Sequence, residues 1–154
     1  MKLNTNNYKY KELQKWYRRP VNNSIRKIMN DQIPKIKKHI AGNNVLFIGL
    51  SEFSKKFNSE KNLSFIAVDE ITSSDHIRES KKLPFEDNSH DVIIIIHALD
   101  YTENPYELVR EIDRIATDDA KVALMGFNRF SLWGTLKPFM NKLNPPWLLN
   151  FHSV

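Results

Sequence analysis

Four short stretches of this 154-residue chain carry side chains suited to chemistry, and each follows an apolar run. They are Gly49-Leu50-Ser51-Glu52, Asp69-Glu70, His97-Ala98-Leu99-Asp100 and Gly126-Phe127-Asn128. Gly49 lets the backbone turn tightly, so the amides after it either face an anionic ligand or make a plain turn. Asp69 lies twenty residues beyond Gly49. A nucleotide-binding βαβ unit places a carboxylate at that distance, where two oxygens accept two ribose hydroxyls. The bland reading is a solvated strand-end acid. Glu79, ahead of Leu83-Pro84-Phe85, would accept from an adenine amino group or be an ordinary loop charge. His97 would contact a cofactor, act as a base or hydrogen-bond nearby backbone. Asn128 offers a donor and an acceptor beside a cleft, or serves a turn.

Other chemistries find less support. His39, His76, His90, His97 and His152 show no zinc-site spacing, so no metal is expected. No Ser-His-Asp order with a strained nucleophile turn is visible. The chain has no cysteine, which excludes a disulfide scaffold and thiolate metal sites and fits a reducing cytosol. No apolar stretch approaches the roughly 18–20 residues that span a bilayer. The start, MKLNTNNYKYKELQ, lacks the apolar middle of a signal peptide, so a cytoplasmic protein without a membrane span is expected. Hydrophobic content of 41% and charged content of 27% suit a globular domain.

Charge is uneven. Residues 1–40 carry a balance of +9 and residues 41–154 a balance of −4, within a total of +5. The basic arm is either a solvated helix surface or a contact for RNA or another anion. Tyr8, Tyr10, Trp16 and Tyr17 interleave with the basic residues, as single-strand binders require, but at helical spacing that core packing explains as well.

The elements that must position these groups follow from periodicity. Leu13, Trp16 and Tyr17 mark a helix over 8–19 that Pro20 ends. Ile25, Ile28, Met29, Ile33, Ile36 and Ile40 mark a second over 23–40, with Pro34 expected to kink or split it. VLFIG (45–49), LSFIAVD (63–69), HDVIIIIHALD (90–100) and AKVALMGF (120–127) read as strands. Residues 52–57 suit a short helix and 72–85 a polar stretch with a proline turn. A helix is expected over 106–116 after Asn104-Pro105, a turn at Asp118-Asp119 and a helix over 131–143 capped by Ser131. This alternation predicts an α/β fold, a mostly parallel Rossmann-like sheet with helices on both faces. Ligands then bind past the strand C-termini, where strand order reverses. The domain reading is a basic helical extension over 1–42 and a Rossmann-like domain over 43–154.

The stretch LPFEDNSHDVIIIIHALDYTENPYELVREIDRIATDDAKVALMGFN resembles the core of class I S-adenosylmethionine-dependent methyltransferases, in particular methyltransferase type 11. The resemblance rests on Leu83-Pro84-Phe85, Asp87, Ser89, Asp91, His97, Pro105, Leu108, Arg110-Glu111, Arg114 and Asp118-Asp119. GFNRFSLWG (126–134) is similar to a bacterial subgroup with a reduced glycine loop. The resemblance implies S-adenosylmethionine as cofactor. Gly49 and Ser51 would approach its methionine part, Asp69 with Glu70 its ribose, and Glu79 its adenine. His97 would stand by the sulfonium end, and Asn128 would face the substrate. No general base is named by it. Two departures stand out. The G-x-G-x-G loop is reduced to Gly49-Leu50-Ser51-Glu52-Phe53, so Leu50 and Glu52 stand where the cofactor's amino-acid end would lie. The last two strands of the family are not accounted for by PWLLNFHSV, so the C-terminal edge is expected to be incomplete and the 120–127 strand open to pairing with a second copy. The alternatives are an inactive methyltransferase-like interaction module and an RNA-binding protein using the basic arm.

Overall fold

The core is built around β1, Val45–Gly49, whose five residues are all buried. The computed structural model describes residues 5–38, 44–50, 53, 63–67, 82–102, 104–140 and 146. Within them β1 is flanked by β2, Leu63–Ala67, and by β3, His90–Ile96. The fourth strand, β4 (Ala116–Met125), pairs with β3, giving the order β2-β1-β3-β4 with every pair parallel. Six of the seven β3 residues are buried, as a continuous β-branched run in a parallel sheet requires. The expected α/β fold with a parallel sheet is therefore what the chain adopts.

Helices account for the covered faces. The first, α1, spans Thr5–Arg18, and a 3-10 turn at Pro20–Asn22 leads into α2, Asn23–Lys37. After β3 come the short α3, Ala98–Tyr101, and α4, Pro105–Ile115. Asn104 caps α4 by accepting from the Glu107 amide at 3.4 Å, and Leu108, Ile112 and Ile115 turn inward. Beyond β4 lie α5, Leu132–Leu136, and a 3-10 turn at Lys137–Phe139. Leu13, Trp16 and Tyr17 of α1 join one core cluster with the strands, so these two α1 aromatics are core residues.

Four expectations change. The strand expected over 90–100 ends at Ile96, and Ala98–Tyr101 form α3 instead. The second helix is not split at Pro34: the proline removes one backbone bond and the helix runs on to Lys37. The last strand begins at Ala116, because His90 and Val92 face Ala116 and Lys121, and the Asp118-Asp119 pair sits in the resulting bulge. The helix expected to reach 143 ends at Leu136 and passes into a 3-10 turn. Pro138, lacking an N–H, cannot continue the α-helical ladder. The helix over 52–57 falls outside the described residues except for Phe53. The C-terminal strand falls outside them, apart from Pro146.

A second polar device pins the loop before β3. Arg114 on α4 donates to the carbonyls of Phe85 (2.9 Å) and Leu83 (3.1 Å), to Asp87 and to Glu111 (2.7 Å). Glu111 in turn accepts from the Leu83 amide at 2.8 Å. The Leu83-Pro84-Phe85 turn is thus held by one bidentate pair.

Candidate functional site

Strand order reverses between β1 and β3: the chain goes from β1 outward to β2, then returns to the far side of β1. The crevice at such a switch point is where ligands bind in open parallel sheets. Here it lies between Gly49, the last residue of β1, and His97, the residue after β3. A Cβ added at Gly49 would stand 2.6 Å from the Ile96 carbonyl oxygen, so the absent side chain is what lets the two strand tips meet.

His97 turns the chain sharply. Its φ of 61° is left-handed, a region uncommon outside glycine but one that histidine enters more often than most residues. Its amide donates to the Met125 carbonyl at 2.8 Å, and its carbonyl accepts from the Asp100 amide at 3.1 Å. The spacing His97-Ala98-Leu99-Asp100 brings the aspartate back within one turn, and its Oδ2 lies 2.7 Å from His97 Nδ1. Both residues are buried. A carboxylate at that distance calls for a proton on Nδ1. The Tyr17 hydroxyl lies 2.5 Å from Nε2. It also donates to Met29 Sδ at 3.0 Å.

Aromatic rings enclose this polar chain. Tyr17 stands edge-on to Phe53 at 5.4 Å and to Trp16 at 5.1 Å, and His97 lies 4.8 Å from Phe127. Trp16 in turn meets Phe127 at 5.8 Å. Next to it, between the tips of β3 and β4, is a hollow of about 150 Å³ lined by residues that include His97, Asp100, Gly126, Phe127 and Asn128. Gly126 makes room for the carboxylate: a Cβ there would be 3.2 Å from either Asp100 oxygen. The Phe127 amide donates to Asp100 Oδ2 at 3.2 Å. Asn128 Oδ1 accepts from the Phe130 amide at 2.8 Å, which holds the side chain at the rim.

Of the residues expected from sequence, Gly49 and His97 flank the switch point, and His97 and Asn128 share the hollow. Ser51, Asp69, Glu70 and Glu79 lie outside the described residues. Leu50 is described: it is 1% exposed, belongs to the core and does not line the hollow. Sequence reasoning missed two members. Asp100 had a readable signal, an acid three residues after a histidine at a strand end. Tyr17, eighty residues from His97, had none beyond its place on the inner stripe of α1. Among the described residues no group of His, Cys, Asp or Glu is arranged to hold a metal ion, and no helix is long and apolar enough to cross a membrane.

Comparison with known proteins adds three findings. Residues 49–124 match the family model of a methyltransferase domain. A 65-residue stretch is 40% identical to the uncharacterized protein YafS of Escherichia coli (strain K12), covering 41% of this chain and 27% of that protein's length. The fold is similar to the crystal structure of a Thermotoga maritima SAM-dependent methyltransferase, described as a possible histamine N-methyltransferase. That similarity has a TM-score of 0.55 at 13% identity and covers 90% of this chain and 73% of the other.

Proposed function

We propose that this chain, whose residues 49–124 are a class I methyltransferase domain of the type 11 kind, binds S-adenosylmethionine at the β1–β3 switch point and transfers its methyl group to an acceptor. One observation carries the reading: within the family-matched segment, the bare Cα of Gly49 and the polar head of His97 stand on either side of the reversal in strand order. When bound, the cofactor supplies an electrophilic methyl group on a sulfonium sulfur. The described residues bring a hydroxyl and an imidazole together beside the buried tips of β1 and β3. Ser51, Asp69, Glu70 and Glu79 take the roles the family resemblance gives them along methionine, ribose and adenine. The hollow beside His97 and Asn128 receives the acceptor, and Leu99, Leu124 and Phe127 exclude water from it. These residues act mainly by holding donor and acceptor in line, which supplies most of the rate in such a transfer.

The test is isothermal titration of the full chain with S-adenosylhomocysteine, together with thermal unfolding. A ligand that binds only the folded state at 100-fold its Kd adds about 2.7 kcal/mol of stability. No heat and no shift at millimolar ligand would overturn the reading. A second reading, a methyltransferase-like module without catalysis, is favoured by one observation: Leu50, Phe53 and Tyr17 are each 1% exposed around the strand tips, leaving no large opening there among the described residues. The same titration decides between the two.

A further inference from the structure

We propose that this protein carries a second binding site, at the N-terminal ends of its strands, in which His90 and Glu86 receive a small primary amine with an apolar body. The place is an open hollow of about 470 Å³ at the base of the sheet, lined by residues that include Leu63, Ser64, Phe85, Glu86, Ser89 and His90. Leu63 opens β2 and His90 opens β3. The switch point lies at the other end of the same sheet, roughly 16 Å away for a five-residue strand at about 3.3 Å per residue. The site is therefore independent of the cofactor reading.

His90 is the group that points to a ligand. It is 5% exposed, yet it lines the hollow. The Ser89 hydroxyl donates its one proton to the Glu86 carbonyl at 2.6 Å, so its 2.9 Å contact with Nδ1 of His90 is made by a proton on the ring. Nε2 then presents a lone pair, and among the described residues nothing donates to it. A buried acceptor left without a donor is costly, and a ligand N–H removes that cost. Burial also keeps the imidazole neutral, because it lowers the pKa more than the Asp91 charge raises it. Glu86 adds a carboxylate that forms no ion pair among the described residues. Two acceptors on one hollow call for a donor that carries positive charge, which an ammonium group does. Leu63 and Phe85 offer its body an apolar wall, and Phe85 stands edge-on to His90 at 4.7 Å. That wall is fixed in advance, since Arg114 donates to the carbonyls of Phe85 and Leu83.

The experiment titrates the full chain with phenethylamine, and with phenethyl alcohol as the uncharged counterpart, while the ring-nitrogen NMR signals of His90 are followed at about pH 8, where the imidazole is neutral. The amine is expected to move the Nε2 signal saturably, and the alcohol to act roughly tenfold more weakly, since a bond from a charged donor is the stronger one. Glu86 is exposed, so Glu86→Gln leaves the fold intact, and it is expected to weaken the amine about threefold. A His90 signal that the amine leaves unmoved at millimolar concentration, an equal response to both probes, or full amine affinity in Glu86→Gln would overturn the proposal and leave His90 a core residue beside a solvated groove.

Discussion

Gly49 and Ile96 meet across the centre of the sheet so closely that a methyl group on Gly49 would lie 2.6 Å from the Ile96 carbonyl oxygen and 3.0 Å from its Cβ. The nearest atom is backbone inside a paired strand and cannot swing aside. Gly49→Ala is therefore expected to destabilise the fold by about 1–3 kcal/mol, the cost of forcing a methyl into a filled space. Urea unfolding measures it, and an unchanged midpoint would mean the strand tips are further apart than described.

Acid is expected to weaken the fold in two stages. Burial lowers the His90 pKa, with the Asp91 charge opposing that shift only in part. A histidine with a depressed folded pKa contributes stability that is complete above its unfolded value of about 6.5 and is lost as pH falls below it. Hydrogen bonding to Arg114 holds the Glu111 carboxyl below its usual 4.5, so its contribution is present at neutral pH and lost as pH falls through the lower folded value. Unfolding free energy measured from pH 8 to 3 would show both declines. His90→Gln would erase the first and Glu111→Gln the second.

The first helix is expected to be part of the cooperative core. Trp16 is 4% exposed, meets Tyr17 and Phe127, and its carbonyl accepts from Asn22 Nδ2 at 2.7 Å. Trp16→Ala should lower global stability by about 3–5 kcal/mol in a single transition. A separate, weaker transition for residues 1–42 would show instead that the basic extension folds on its own.

Much of this arrangement was legible in the sequence. The uniform run Val92 to Ile96 could only be a strand buried on both faces, and Asn104-Pro105 announced α4. These signals are local, and local signals survive folding. The length of the last helix was not legible, because the Ser131 cap predicts a start while Pro138 cuts the ladder short. That Gly49 and His97 would stand on neighbouring strand tips was legible because strand C-termini in a parallel sheet converge. Tyr17 was not, since its meeting with His97 depends on how α1 lies across the sheet, and no periodicity encodes that. The inner stripe of α1 reads as core, and Tyr17 is core, with its hydroxyl against His97.

The order β2-β1-β3-β4 also bears on how the chain is made. β1 sits between its partners, yet β3 ends at Ile96, 47 residues after Gly49. At a synthesis rate of roughly 5–20 residues per second, the VLFIG segment leaves the ribosome several seconds before its second neighbour exists. For that interval a wholly apolar strand has one open flank, an edge on which another chain can pair.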